Sequence, residues 1–166
     1  MHAQHIINSF EFARKSLEIH DIIRVSQFLR LKDLIVLDND CLIDWTIKGS
    51  IDEQSKPSLL LNVTGLVWLK CQRCLEPFRF QLDIATKFIL VNDENSIPLD
   101  EDNFDEDYLV GNDHLNLDEL LEDEILLALP FAPKHELDEC VVKEDKIEIG
   151  KPNPFAVLRS LKSDRQ

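Results

Sequence analysis

The sequence predicts a single α+β domain spanning residues 1–166: an antiparallel, strongly curled β-sheet over residues 40–91, covered by one main helix at 116–129, with short helices at the periphery. Three observations carry that prediction. Between Cys41 and Val91, apolar residues recur at every second position through three consecutive runs joined by short connections. Between Asn116 and Pro130 they recur at helical spacing instead. The chain of 166 residues is long enough for one buried core and short for two.

Taken in order, residues 1–39 read as a helical part. Asn8 or Ser9 is placed to cap a short helix through Phe10–Leu17, with Glu11 and Lys15 at the favourable four-residue spacing. A second helix is predicted over Val25–Leu34, where Phe28, Leu31, Leu34 and Ile35 would share a face. The first strand follows, with Cys41, Ile43, Trp45 and Ile47 on one face and Asp44, Thr46 and Lys48 on the other. Cys41 is thereby a small core hydrophobe, the commonest fate of a reduced cysteine. In the second strand Leu59, Leu61, Val63, Val67 and Leu69 share a face, and Gly65 suggests a bulge. In the third, Phe78, Phe80, Leu82 and Ile84 alternate with Arg79, Gln81 and Asp83. Such a meander must have its edges covered or curled away.

Residues 92–113 read as an acidic, exposed loop holding a short strand at Tyr108–Val110. The main helix has Asn116 as its cap, acids in its first turns where the helix dipole favours them, and Pro130 as its stop. Its buried stripe is Leu117, Leu120, Leu121, Ile125 and Leu129. The tail, residues 131–166, ends in Asn153–Pro154 followed by Phe155, Leu158 and Leu161 on one face of a two-turn helix. A helix that short needs a surface to dock on, so these three side chains are the candidates for contact with the body or with a partner.

The formal charge of −14 is concentrated rather than spread. Residues 91–148 hold twenty Asp and Glu against three Lys and Arg, a local balance of −17, and the remainder is slightly basic at +3. A uniformly acidic protein would be repelled by nucleic acid, whereas a polarised one need not be. No window approaches the ~20 apolar residues of a membrane span, and the first residues lack a basic head and an apolar signal core, so the sequence reads as cytoplasmic with no membrane partner.

Cys71-Gln72-Arg73-Cys74 sits at the turn between the second and third strands. A Cys-x-x-Cys pair can hold a metal, run thiol chemistry or rest as reduced thiols, and the motif alone does not choose. Redox chemistry fits least, because thioredoxin-like pairs open a helix whose N-terminus acidifies the thiol, and here Leu75-Glu76-Pro77 leads into a strand. No catalytic constellation or Gly-rich phosphate loop accompanies it, so a non-enzyme is expected. His2, His5, His20 and His114 read as surface residues.

Four pieces stand in one order: Leu69–Phe78 around the cysteine pair, Glu122–Pro130, Pro133 with His135 and Cys140, and Lys151-Pro152-Asn153-Pro154-Phe155-Ala156-Val157-Leu158. The ordered set, over roughly the C-terminal two-thirds of the chain, resembles the YceD family, the large ribosomal RNA subunit accumulation proteins of bacteria and plastids. The resemblance implies a non-enzymatic ribosome biogenesis factor needed for normal levels of 23S rRNA, acting on that RNA or on the pre-ribosomal large subunit. Some members carry a fuller cysteine cluster near the C-terminus, consistent with zinc, where this chain has His135 and Cys140.

A four-ligand zinc site could be built from Cys71, Cys74, His135 and Cys140, provided that two loops some sixty residues apart meet in space. Candidates for RNA contact are Lys70, Arg73, Arg79 and Lys87 around the central hairpin, with Lys48 on the preceding strand; the tail bases Lys151, Arg159, Lys162 and Arg165 form a second patch. Two readings compete with RNA binding. The chain could be an acidic interaction module or chaperone for a basic ribosomal protein, with its carboxylates standing in for phosphates, or a small structural zinc-binding protein.

Overall fold

The structure is a computed structural model that describes residues 5–32, 34–36, 41–52, 55–98, 107–136 and 140. Among these residues seven strands and two α-helices follow in order: β1 (Ile6–Ile7), α1 (Ser9–Arg14), β2 (Glu18–Arg24), β3 (Leu42–Ile51), β4 (Pro57–Lys70), β5 (Pro77–Val91), β6 (Asp107–Val110), β7 (Leu115–Asn116) and α2 (Leu117–Ala128). The main sheet has the order β2-β3-β4-β5-β6, and β1 pairs with β7 in a small ladder beside it.

The three runs read from alternation are the three central strands. Ile43, Trp45 and Ile47 of β3, Leu59, Leu61, Val63, Val67 and Leu69 of β4, and Leu82 and Ile84 of β5 are buried on one face, with Cys41 just ahead of β3. Over that face lie α1, the irregular segment 25–36 and α2, the last presenting Leu117, Leu121 and Ile125 to the core. Among the described residues no element covers the other face of the sheet, where Asp44, Lys48, Asn62, Thr64, Leu66, Lys70, Arg79, Gln81, Asp83 and Lys87 are all exposed.

Several expectations need correction. The sheet is open rather than strongly curled, and it is mixed, because β6 runs parallel to β5. The connection of residues 92–106 supplies the length that a parallel neighbour requires. Curling is not what protects the two outermost strands. One edge, β6, is only four residues long, and the other, β2, carries Glu18, His20, Asp21 and Arg24. The N-terminal part is not helical throughout: β2 adds a strand that the period-two pattern at Ile19, Asp21 and Ile23 marks only weakly, because an acid holds its central inward position.

The helix expected at Val25–Leu34 is absent. Val25–Gln27 is a single 3-10 turn, and the chain then continues in turns. Phe28, Leu31 and Ile35 are buried as the spacing suggested, but the Arg30 amide donates to Glu122 Oε1 at 2.7 Å instead of to a carbonyl one helical turn back. Gly65 marks no bulge: the register with β5 runs unbroken through it, and opposite β3 it forms the last pair, with Ile43. A Cβ there would stand 3.0 Å from the Leu42 carbonyl oxygen, so glycine serves a close strand approach.

Other expectations hold. The Asn8 side chain caps α1 by accepting from the Glu11 amide at 2.9 Å. That helix closes in a Schellman motif, with Ser16 left-handed at φ 51° and the Leu17 amide donating to Phe12 O. Asn116 caps α2 as read, and Tyr108–Val110 lies within β6. The C-terminal helix, with Phe155, Leu158 and Leu161, and the tail bases lie outside the described residues. No helix of the described residues is long and apolar enough to cross a membrane.

Candidate functional site

The β4–β5 hairpin, the longest pairing in the sheet, ends at Lys70↔Pro77 and hands its tip to the cysteine pair. The turn is tied by the Leu75 amide to Cys71 O and the Cys71 amide to Glu76 O, both at 3.0 Å. It requires a left-handed residue at its fourth position, and the sequence places Leu75 there at φ 64°. For a leucine this conformation costs roughly 1–2 kcal/mol. Leu75→Gly is therefore expected to stabilise the turn by about 0.5–1 kcal/mol after the added freedom of the unfolded glycine is subtracted, read as a small rise in the denaturant midpoint at unchanged slope.

Beyond α2 the chain returns to this tip. The Gln72 amide donates to Pro133 O at 2.8 Å, and the His135 ring tilts against Phe78 with centroids 5.1 Å apart. These two contacts carry His135 and Cys140 to the cysteine pair. One ligand atom each from Cys71, Cys74, His135 and Cys140 then lies within 4.8 Å of every other. The two halves read from the sequence thus meet, and the group could hold a metal.

The separations fit a tetrahedral ion. Two sulfurs each about 2.3 Å from zinc at the tetrahedral angle stand ~3.8 Å apart, and a sulfur–nitrogen pair ~3.6 Å. Cys71 Sγ and Cys140 Sγ are 3.8 Å apart, and Cys74 Sγ is 3.4 Å from His135 Nδ1. The electrostatics point the same way. Burial works against ionisation of Cys71, but amide donors from Cys74, His135 and Arg73 outweigh it and bring the thiol down to about 5. Cys74 goes in the opposite direction. The Glu76 amide lowers it, yet burial and the neighbouring Cys140 and Cys71 together hold it above the ordinary thiol range. Once one sulfur in such a cluster is a thiolate, the next resists ionising, and a divalent cation removes that conflict.

Arg73 is placed differently from the RNA-contact role read for it. Its Nε donates to Cys140 Sγ at 2.9 Å, which raises the guanidinium pKa further, and its amide reaches Cys71 Sγ at 3.4 Å. The anionic sulfurs draw the cation onto the corner. The other four candidates, Lys48, Lys70, Arg79 and Lys87, all lie on the open face of the sheet. Arg24 joins them once β2 is recognised as a strand, opposite Leu42. Five cations therefore share that face with three carboxylates, Glu18, Asp44 and Asp83. The Lys48–Glu18 and His20–Asp44 contacts, 3.6 Å and 2.8 Å long, engage two of the three. Arg79 stands directly across from Trp68 in the ladder and lays its guanidinium over the indole, 5.1 Å from the ring centroid. Trp68 was unremarked in the sequence; its even position on β4, opposite Arg79, is the signal that could have found it.

The acids of α2 lie on the covered side. Buried Glu122 accepts from Arg30 at Nε, Asp123 pairs with Arg30 Nη1 at 2.6 Å, and Glu124 accepts from Thr86 Oγ1 at 2.7 Å. His5 is half-buried rather than a plain surface residue, with Nδ1 2.9 Å from Asp118 and its ring edge-on to Trp45. Part of the acidic helix is thus neutralised internally; the covering layer holds Glu11, Asp21 and the five acids of α2 against Arg14, Lys15, Arg30 and Lys32, so it is net acidic where the open face is net basic.

These features describe a small, sheet-based protein: one open cation-bearing face, a net acidic opposite side, and a cysteine–histidine corner at the tip of its longest hairpin. The chain belongs to the YceD family. The family described as "Large ribosomal RNA subunit accumulation protein YceD" matches residues 59–162, which include the hairpin, its cysteine tip, α2 and His135 and Cys140. A protein of Haemophilus influenzae named "Large ribosomal RNA subunit accumulation protein YceD" is 28% identical over 173 residues, covering 94% of this chain and 94% of its own. No solved structure matches significantly.

Proposed function

We propose that this chain is a non-catalytic, cytoplasmic ribosome biogenesis factor that supports accumulation of 23S rRNA by binding that RNA, free or within the pre-ribosomal large subunit, through the open face of its sheet. The observation that carries this reading is the separation of charge: Lys48, Lys70, Arg79, Lys87 and Arg24 face solvent together in a chain of net charge −14, with the helix acids on the opposite side. Family membership supplies the RNA. A sheet that presents cations beside a half-buried indole suits phosphates and unstacked bases. The Cys3His corner takes zinc in a structural role, because three thiolates and one imidazole in tetrahedral spacing are the donors that zinc prefers. The ion would fasten residues 133–140 to the hairpin.

Equilibrium binding to 23S fragments across a salt series tests the reading. Direct RNA binding gives an affinity that falls steeply with salt, by about 0.7–0.9 logarithmic units per phosphate contact. The −17 segment favours a second reading, a basic ribosomal protein as ligand. On that reading naked RNA binds poorly, and deletion of residues 92–107 weakens the complex more than any change on the sheet.

A further inference from the structure

Along β5 the sheet has an edge that no described strand covers over residues 77–87, since β6 pairs only with Phe88–Val91. The returning segment 130–136 runs beside that edge without pairing to it, and a groove of about 770 Å³ opens between them. This volume lies within the range of built small-ligand clefts, roughly 300–1,000 Å³. Because a strand's side chains alternate, an edge groove samples both faces of the sheet at once. Trp68 and Arg79 enter from the open face, Phe78 and Phe80 from the covered face, and Lys134 from the far wall, with Gln81 on the floor.

From this arrangement we infer that the groove is a binding site for single-stranded RNA, which would hold one unstacked nucleotide or a short run of them. The inference rests on the RNA reading above and adds to it a place and a strandedness. The chemistry is specific to an unpaired strand. Base faces need aromatic or guanidinium planes; the rings of Phe78 and Phe80 line the groove beside the Arg79 guanidinium, which already lies over the Trp68 indole and would extend that stack to a base, and a duplex offers no free base faces to such planes. The phosphates need cations, and Arg79 and Lys134 stand on opposite walls, against Glu136 as the one carboxylate of the lining. In a chain of net charge −14 that local excess of positive charge is a departure from composition. Gln81, whose amide already donates to Leu82 O at 3.2 Å, supplies a polar group able to meet a base edge. The groove is continuous with the cation-bearing face through Trp68 and Arg79, so an RNA lying on the sheet can turn one strand over its edge.

The far wall is held by the Gln72–Pro133 hydrogen bond, the Phe78–His135 ring contact and the cysteine–histidine corner. The groove therefore exists only while the tail is fastened to the hairpin.

The test titrates the full chain with a single-stranded oligoribonucleotide of six to eight bases and with the duplex of the same sequence. The chain has two tryptophans, and Trp45 is 1% exposed, so ligand-induced quenching of intrinsic fluorescence reports on Trp68. The expected result is quenching by the single strand and little by the duplex. Lys134→Ala and Trp68→Leu, read by anisotropy of a labelled oligonucleotide, should each weaken single-strand binding about tenfold. Lys134 is exposed, so its substitution leaves the fold intact. Single-strand affinity unchanged in both variants, with rRNA fragments still bound, would overturn the groove and leave the RNA reading standing. No binding of any RNA by the wild type overturns both. Quenching of Trp68 by an extended peptide, where RNA gives none, also overturns the groove, assigning the β5 edge to strand addition instead.

Discussion

Cys71→Ser is expected to weaken zinc binding about a hundredfold, so that dialysis against a chelator that leaves the wild type with about one ion per chain strips the variant, and to release residues 130–136 from the hairpin while the sheet stays folded. Cys71 is the buried member of the corner, fully inaccessible, and its thiol is brought down to about 5 by amide donors. Serine is isosteric but offers no thiolate. Structural zinc sites of this kind carry an apparent ~10–16 kcal/mol over four ligands, so losing one costs about 3 kcal/mol, near a hundredfold in affinity. The core of Trp45, Ile47, Leu61 and Leu121 does not depend on the corner. The loss should therefore be local: amide exchange at Gln72, bonded to Pro133 O, accelerates sharply, while the amides of β3 and β4 keep their protection. Global melting in excess zinc should fall by several degrees, because an ion that binds only the folded state stabilises it. Elemental analysis before and after that dialysis reads the first effect and hydrogen exchange the second. A wild type without metal, or a Cys71→Ser protein with unchanged exchange at Gln72, contradicts the corner's proposed role.

The second large effect is on RNA affinity. The triple substitution Lys48→Ala, Lys70→Ala, Lys87→Ala removes three of the five cations from the open face, and all three side chains are exposed, so stability should change little. If each lysine meets one phosphate, the slope of log K against log salt flattens by about 2 units, and affinity at low salt falls by an order of magnitude or more. Reversing the sign of two or three acids on α2 should leave the slope close to its wild-type value, because those groups face the other side of the sheet. An unchanged slope in the triple variant would mean that RNA, if bound, lies elsewhere.

Much of this was legible in the sequence because the inward positions of the central strands β3 and β4 keep period two, broken only at Gly65. The inward positions of β3 and β4 were assigned from alternation alone and are buried as assigned. The helix at 117–128 announced itself by its cap, its stripe and its proline stop. What alternation could not show was where a strand is defended by polarity. β2 carries Glu18, His20, Asp21 and Arg24 within seven residues because it is an edge, and that same defence hid it. The segment after Val25 was misread for the opposite reason: buried Phe28, Leu31 and Ile35 keep helical spacing, but a distant carboxylate, Glu122, takes the Arg30 amide and redirects the backbone.

The four ligand residues of the corner were legible as two half-motifs, and their convergence was not. It depends on the Gln72–Pro133 hydrogen bond and the packing of His135 on Phe78, contacts between segments some sixty residues apart that no local pattern encodes. The groove beside it was invisible for the same reason. Its two walls belong to different elements, and Trp68 and Lys134 become neighbours only in the fold.

The most direct test of the central claim, that RNA lies on the open face of the sheet, is ultraviolet crosslinking of the full chain to 23S rRNA fragments with the modified peptides mapped by mass spectrometry. Crosslinks should fall within residues 42–51, 60–70 and 77–87, with further adducts at 130–136 from the groove. None is expected at 117–128, which covers the core on the other side. Crosslinks concentrated on that helix, or none anywhere at a concentration where a known RNA-binding protein is labelled, would contradict the account.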